Sequence, residues 1–292
     1  MNPLAHLTPD DVIRHPYAHI LCEHVLPDDL CRELARTYPA TESFTRGATF
    51  TQSTKFFRRA PELLADPSLA PVWRDLIHDL TRPRLLDDAF RLFGDDIFRA
   101  YPNFDTLVGP RDALRVGIRG VDDAESHHVL LDLICVIFTA PRGRPSLHRM
   151  PHIKNPDKFW ESTLFLPVEG DRGTGGDVEI YELKDPASAT FTDFNQTDFS
   201  AVRLVRSAPY RRGVFMSWVN SPTSVLHYAL RTGSTHPQRL LEIVATVPRP
   251  LFEVPRKPGW RPVEVIADSQ RNATPQPVSR SIFRRLRQAV FR

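Results

Sequence analysis

Cysteine is scarce in this 292-residue chain: Cys22, Cys31 and Cys135 lie far apart, and no CxxC occurs. That spacing excludes a disulfide framework and a thiolate zinc site, and it fits a reducing cytoplasm. Long apolar runs are also missing. No stretch approaches the roughly 18 to 20 residues that a membrane-spanning helix needs, and the N-terminus (MNPLAHLTPDDV) has acids where a signal peptide has basic and apolar residues. The expectation is a soluble, unexported, cytoplasmic protein. Glycine is modest at 13 residues against 27 prolines, and many of the prolines flank short apolar runs, which suits a β-rich domain with long loops better than a helical bundle.

Positive charge is lacking over most of the chain. Lys and Arg total 38 against 35 Asp and Glu, but five of the arginines fall within 280–292, a stretch with no acid. The remainder has 33 basic residues against 35 acidic ones, a net of −2, so the body offers nucleic acid no electrostatic footing. The tail SRSIFRRLRQAVFR sets Ile282, Phe283, Leu286, Ala289 and Val290 on one helical face. That pattern suits either a helix docked on its own domain or one that contacts a membrane surface or a partner.

The first 110 residues are expected to form a mainly helical support region. HPYAHILCEHVL is an extended run. PDDLCRELARTYP begins with proline and two acids and ends at a proline, with Leu30, Leu34 and Ala35 as its buried stripe. Val72, Leu76, Ile77 and Leu80, then Leu85, Leu86, Ala89, Phe90 and Phe93, have helical spacing; Pro83 separates two helices and Gly94 is expected to end the second. From about residue 111 to 250 the chain reads as strands. LLDLICVIFTAP, ESTLFLPV, the alternating GGDVEIYEL, SAVRLVRSAP, RRGVFMSWVN, SVLHYAL and RLLEIVATVP follow one another in the manner of a sandwich or barrel. Residues 251–292 are Pro-rich and then basic.

Chemistry concentrates in PHIKNPDKF (151–159), the Gly175-Gly176 turn with Tyr181, and, some fifty residues on, Asn220, Ser224 and His227, with Arg239 heading the next strand. The pattern Pro151-His152-x-x-x-Pro156-x-Lys158, then Gly175-Gly176-x-x-x-x-Tyr181, then His227 with Arg239, resembles the prolyl-4-hydroxylase-like branch of the iron(II)- and 2-oxoglutarate-dependent oxygenases. Residues 16–39 and 73–98 resemble the same family's N-terminal segments. The resemblance implies a β-rich α+β protein with a double-stranded β-helix (jelly roll) and N-terminal helices packed on it. It implies Fe(II) held by His152 and His227, and 2-oxoglutarate gripped by Arg239 beside Tyr181. It also implies oxidation of a C–H bond in a small metabolite or carrier-bound intermediate.

One position departs from the family. Where its metal-binding Asp belongs, this chain has Lys154. Two imidazoles and one carboxylate hold Fe(II) with open positions for 2-oxoglutarate and O2, and an ammonium in place of the carboxylate alters the local charge by two units. Lys154 could bind as a neutral amine, could stay charged beside an iron with two histidines, as in halogenating relatives, or could mark a lost metal. The last case makes the chain a degenerate pseudo-oxygenase, a binding or scaffolding module with the ammonium where the cation was. Asp157, Glu161, Asp177 and Glu179 are possible substitute carboxylates. Asp157 is preferred for its loop position; Asp177 and Glu179 share a strand face and are expected to be solvated. His148 lies too far from His152 to share an ion on a strand, where four residues span roughly 13 Å. His127 and His128 fall in a polar loop and are expected at the surface.

Overall fold

In the computed structural model, residues 1–46, 53–140 and 150–259 are described. Six α-helices occur among them: α1 (Asp28–Arg36), α2 (Thr41–Thr45), α3 (Ala60–Leu64), α4 (Pro71–Leu80), α5 (Pro83–Ala100) and α6 (Phe104–Leu107). The strands are β1 (His19–Cys22), β2 (Lys55–Arg59), β3 (Val116–Ile118), β4 (Val129–Phe138), β5 (Lys158–Phe165), β6 (Val178–Leu183), β7 (Val202–Ala208), β8 (Phe215–Val219), β9 (Val225–Tyr228) and β10 (Gln238–Thr246). The molecule is thus β-rich, with two sheets and a set of helices.

The helices follow local chemistry. Asp28 and Asp29 sit in the first turn of α1 and Arg36 in its last, as the helix dipole favours. This helix buries Cys31, Leu34 and Ala35, whereas Leu30, expected in the stripe, is only half-buried. Pro83 opens α5, but Gly94 does not end it. The buried stripe runs on through Gly94 and Asp96 to Ile97, and that continued packing outweighs the roughly 1 kcal/mol helix penalty of one glycine.

The large sheet runs β1-β8-β5-β10-β4-β2, with β3 beside β4; the small sheet runs β7-β6-β9. The N-terminal region therefore supplies a strand at each edge of the large sheet as well as helices. Strand parity sorts the side chains. Leu131, Leu133, Cys135 and Ile137 of β4 and Leu241, Ile243 and Ala245 of β10 pack against the helices around Trp73, Leu76, Phe90 and Phe93. Ile134, Val136, Phe138, Leu240 and Val244 turn the other way, toward Val178, Ile180, Leu226 and Tyr228 of the small sheet. The outer face of the small sheet carries a third cluster, with Ile153, Tyr181, Leu183, Phe191, Val202 and Val225.

No helix among the described residues is long and apolar enough to cross a membrane. The arginine-rich segment 280–292 and His148 lie outside the described residues.

Candidate functional site

The segment before β5 lies along β9. His152 and Leu226 exchange both backbone hydrogen bonds at 2.9 Å, so their side chains share a face. Leu226 and Tyr228 face the space between the sheets, and so do His152 and, two residues on, Lys154. The His152 ring stacks near Tyr228 with centroids 6.4 Å apart, and its Nδ1 is 3.0 Å from the Met150 carbonyl oxygen. Gly175 permits the turn that leads into β6: its φ is +74°, and a Cβ there would come within 2.2 Å of the Leu230 carbonyl oxygen.

Lys154 is buried, and its ammonium is 2.8 Å from Glu161 Oε1. It also donates to the Tyr228 hydroxyl at 3.4 Å and lies 5.6 Å from the Trp218 ring centroid. Lys158 approaches the other Glu161 oxygen at 3.6 Å. Glu161 stands in mid-strand on β5, opposite Trp218 of β8, and is wholly buried. A second buried pair adjoins the first. Lys55 donates to both oxygens of Glu242 at 2.9 and 3.1 Å, and the Tyr228 hydroxyl donates to Glu242 at 3.2 Å. Burial first, then the Glu242 and Glu161 carboxylates, push the Tyr228 phenol well above its ordinary value. Burial alone would raise the Glu242 carboxyl, but Lys55, Lys154 and Lys158 outweigh it and hold the group at about 2.

His227 points the other way. It is the cross-strand partner of Glu179, one residue out of phase with Leu226 and Tyr228, and so it lies on the outer face of the small sheet. There its Nδ1 is 2.8 Å from Glu179 Oε2, which also accepts from the Tyr181 hydroxyl at 2.8 Å, and Phe199 covers the ring edge-on at 5.1 Å. Hydrogen bonding from His227, partly offset by burial, lowers the Glu179 carboxyl. Glu179, expected to be solvated, is tied into this cluster. Asp177 accepts from the Tyr210 backbone N–H.

Arg239 is also out of phase with the interior. It falls on the helix-facing side of β10, with its guanidinium carbon 5.2 Å from the Tyr38 ring centroid. The Tyr38 hydroxyl in turn lies 2.9 Å from both the Val136 and the Leu240 carbonyl oxygens, which share its one proton. Replacing Arg239 with Leu should therefore lower stability by about 0.5–1 kcal/mol through loss of that stacking. Thermal melts with added 2-oxoglutarate should show the same absence of a ligand-induced shift for wild type and Arg239→Leu; a shift confined to wild type would return Arg239 to a ligand site.

The structure thus brings His152 and Lys154 together and places His227, Tyr181 and Arg239 elsewhere: two on the outer face of the small sheet, one against the helices. This donor set does not fit iron. Among the described residues no group of three or more His, Cys, Asp or Glu side chains could hold a metal ion. The acid that meets Lys154 is Glu161, not Asp157, because Glu161 has the interior parity of β5 whereas Asp157 precedes the strand. His127 and His128 are half-buried; His128 Nδ1 accepts the Arg115 N–H at 3.2 Å. Lys55, Trp218, Tyr228 and Glu242 do not stand out in the sequence. For Glu242 the one mark in the sequence is a lone acid inside the otherwise apolar RLLEIVATVP; Lys55, in the largely charged KFFRR, and the aromatic Trp218 and Tyr228 carry no such mark.

No protein-family profile and no curated protein sequence matches the chain. Among solved structures, it is similar to the non-heme alpha ketoglutarate dependent epimerase SnoN from nogalamycin biosynthesis, at 15% identity over 80% of each chain with a TM-score of 0.45. IDO from Bacillus thuringiensis is similar at 10% identity over 79% of this chain and 93% of its own, TM-score 0.40. HygX from Streptomyces hygroscopicus, solved with nickel and 2-oxoglutarate bound, is similar at 12% identity over 79% of this chain and 83% of its own, TM-score 0.37.

Proposed function

We propose that this chain is a double-stranded β-helix of the prolyl-4-hydroxylase-like oxygenase type that works as a binding module, with the Lys154 ammonium standing where its relatives carry a metal-binding carboxylate. The strand order supports the architecture. From β4 on, successive segments belong to the large sheet (β4), the small sheet (residue 152, bridged to β9), the large (β5), the small (β6 and β7), the large (β8), the small (β9) and the large (β10), a jelly-roll sequence of crossings. The observation that carries the functional reading is the 2.8 Å contact between Lys154 and Glu161 on the interior face. A tethered cation already neutralises the carboxylate there, and a divalent ion arriving beside the ammonium would meet repulsion in a site of low dielectric.

The test is product formation. With Fe(II), ascorbate, 2-oxoglutarate and O2, the full chain should release no more succinate than buffer does, and His152→Ala and His227→Ala should match it. Succinate above that level, lost in His152→Ala, would overturn the reading.

One observation favours the other reading, an iron enzyme acting on a small or carrier-bound substrate. The Glu179–His227 hydrogen bond is of the kind that orients metal-ligating imidazoles, and His227 Nε2 is buried with no hydrogen-bond partner among the described residues. The opposite orientation of His152 weighs against it.

A further inference from the structure

One row of the interior face carries polar atoms that the surrounding protein does not satisfy. His19 of β1, Trp218 of β8 and Glu161 of β5 are successive cross-strand neighbours, with side chains on the same face and Cβ atoms roughly 5 Å apart from one to the next. All three are wholly buried. The Trp218 indole N–H and His19 Nε2 make no hydrogen bond among the described residues, and the Glu161 oxygens meet only the ammonium groups of Lys154 and Lys158. Buried polar atoms are rarely left so, because each has given up its hydrogen bonds to water and needs a partner in return.

The chemistry of the row narrows what meets them. His19 Nδ1 is 2.8 Å from the Tyr17 carbonyl oxygen, which can only accept, so Nδ1 carries the proton and Nε2 offers a lone pair. Burial, the largest influence on His19, favours that neutral form. Trp218 only donates, and Glu161, beside two ammonium groups, only accepts. A carboxylate would suit Trp218 but oppose Glu161 and His19. An ammonium would suit those two but leave Trp218 unmet and oppose Lys154. A hydroxyl accepts from the indole N–H and donates to His19 or Glu161 at once.

We propose that the row His19–Trp218–Glu161 binds a hydroxyl group, supplied by a held water or by the alcohol of a small ligand. This rests on reading the interior as a binding face. The test uses the full chain with 15N-labelled tryptophan. The Trp218 indole signal is identified by its loss in Trp218→Phe or, should that variant not fold, by its proximity to the His19 ring. Magnetisation transfer to this N–H from water, with the sign of a long-lived contact, is the expected result. Replacement of that transfer by one from added glycerol assigns the hydroxyl to an alcohol ligand, and its persistence assigns it to water. No transfer from either source overturns the proposal. A chain that bound iron yet kept this transfer would be no metal-free binding module but would still hold this hydroxyl site.

Discussion

Replacing Lys154 with methionine should destabilise the protein by about 3–5 kcal/mol, because it removes the nearest counter-charge from a carboxylate shut off from bulk water. Lys158 at 3.6 Å, itself partly exposed, compensates only in part. Methionine keeps most of the lysine's length and apolar stem, so the loss reports the charge and not a cavity. Urea denaturation at neutral pH measures it. The double variant Lys154→Met/Glu161→Leu should recover most of the loss, since apolar groups of similar size replace a buried ion pair at little cost. Lys154→Asp, which installs the residue type of the resembled pattern, should be at least as damaging as Lys154→Met because it sets a second carboxylate beside Glu161. A loss below about 1 kcal/mol for Lys154→Met would mean that the ammonium does not neutralise Glu161.

The second large effect is on acid stability. The Glu242 carboxyl is held at about 2, below its ordinary 4.5, by Lys55, Lys154 and Lys158 acting against burial. A depressed carboxyl contributes stability that is complete above the unfolded value and disappears as the pH falls. The contribution here, about 3 kcal/mol, should therefore be lost between pH 4.5 and pH 2. Asp132, raised by burial despite the nearby Arg59 and Arg119, acts in the opposite direction. Comparing wild type with Glu242→Gln cancels that influence. Denaturation midpoints should fall more steeply with acid in wild type than in Glu242→Gln. Parallel slopes would show that the lysines do not hold Glu242 ionised.

The strands of the body were legible because each is a dense apolar run bounded by Pro, Gly or polar residues, and seven such runs became β4 to β10. The N-terminal strands were less so. HPYAHILCEHVL announced β1, but KFFRR, only five residues and half charged, did not announce β2. Gly94 misled because a helix with a long buried stripe absorbs a glycine that would end a weaker one. At the site, residue type was easier to find than direction. His152, His227 and Arg239 stand at the spacings of the resemblance, yet counting by twos from Leu226 and Leu240 sends His227 and Arg239 away from the interior. A motif fixes which residues occur in a strand; one residue of register decides which sheet face they serve. Glu161 stood out only as one of four possible substitute carboxylates, and Glu242 not at all, for a related reason. A lone acid in an apolar strand is uninformative until the fold brings lysines from Lys55, Lys154 and Lys158 onto the same face.

The most direct test of the account is an anaerobic calorimetric titration of the metal-free full chain with Fe(II), run alongside His152→Ala and His227→Ala. Wild type and both variants should give the same heats, with no saturating site, because the two imidazoles face opposite sides of the small sheet and an ammonium already neutralises Glu161. One equivalent of Fe(II) bound by wild type and by neither variant would contradict it.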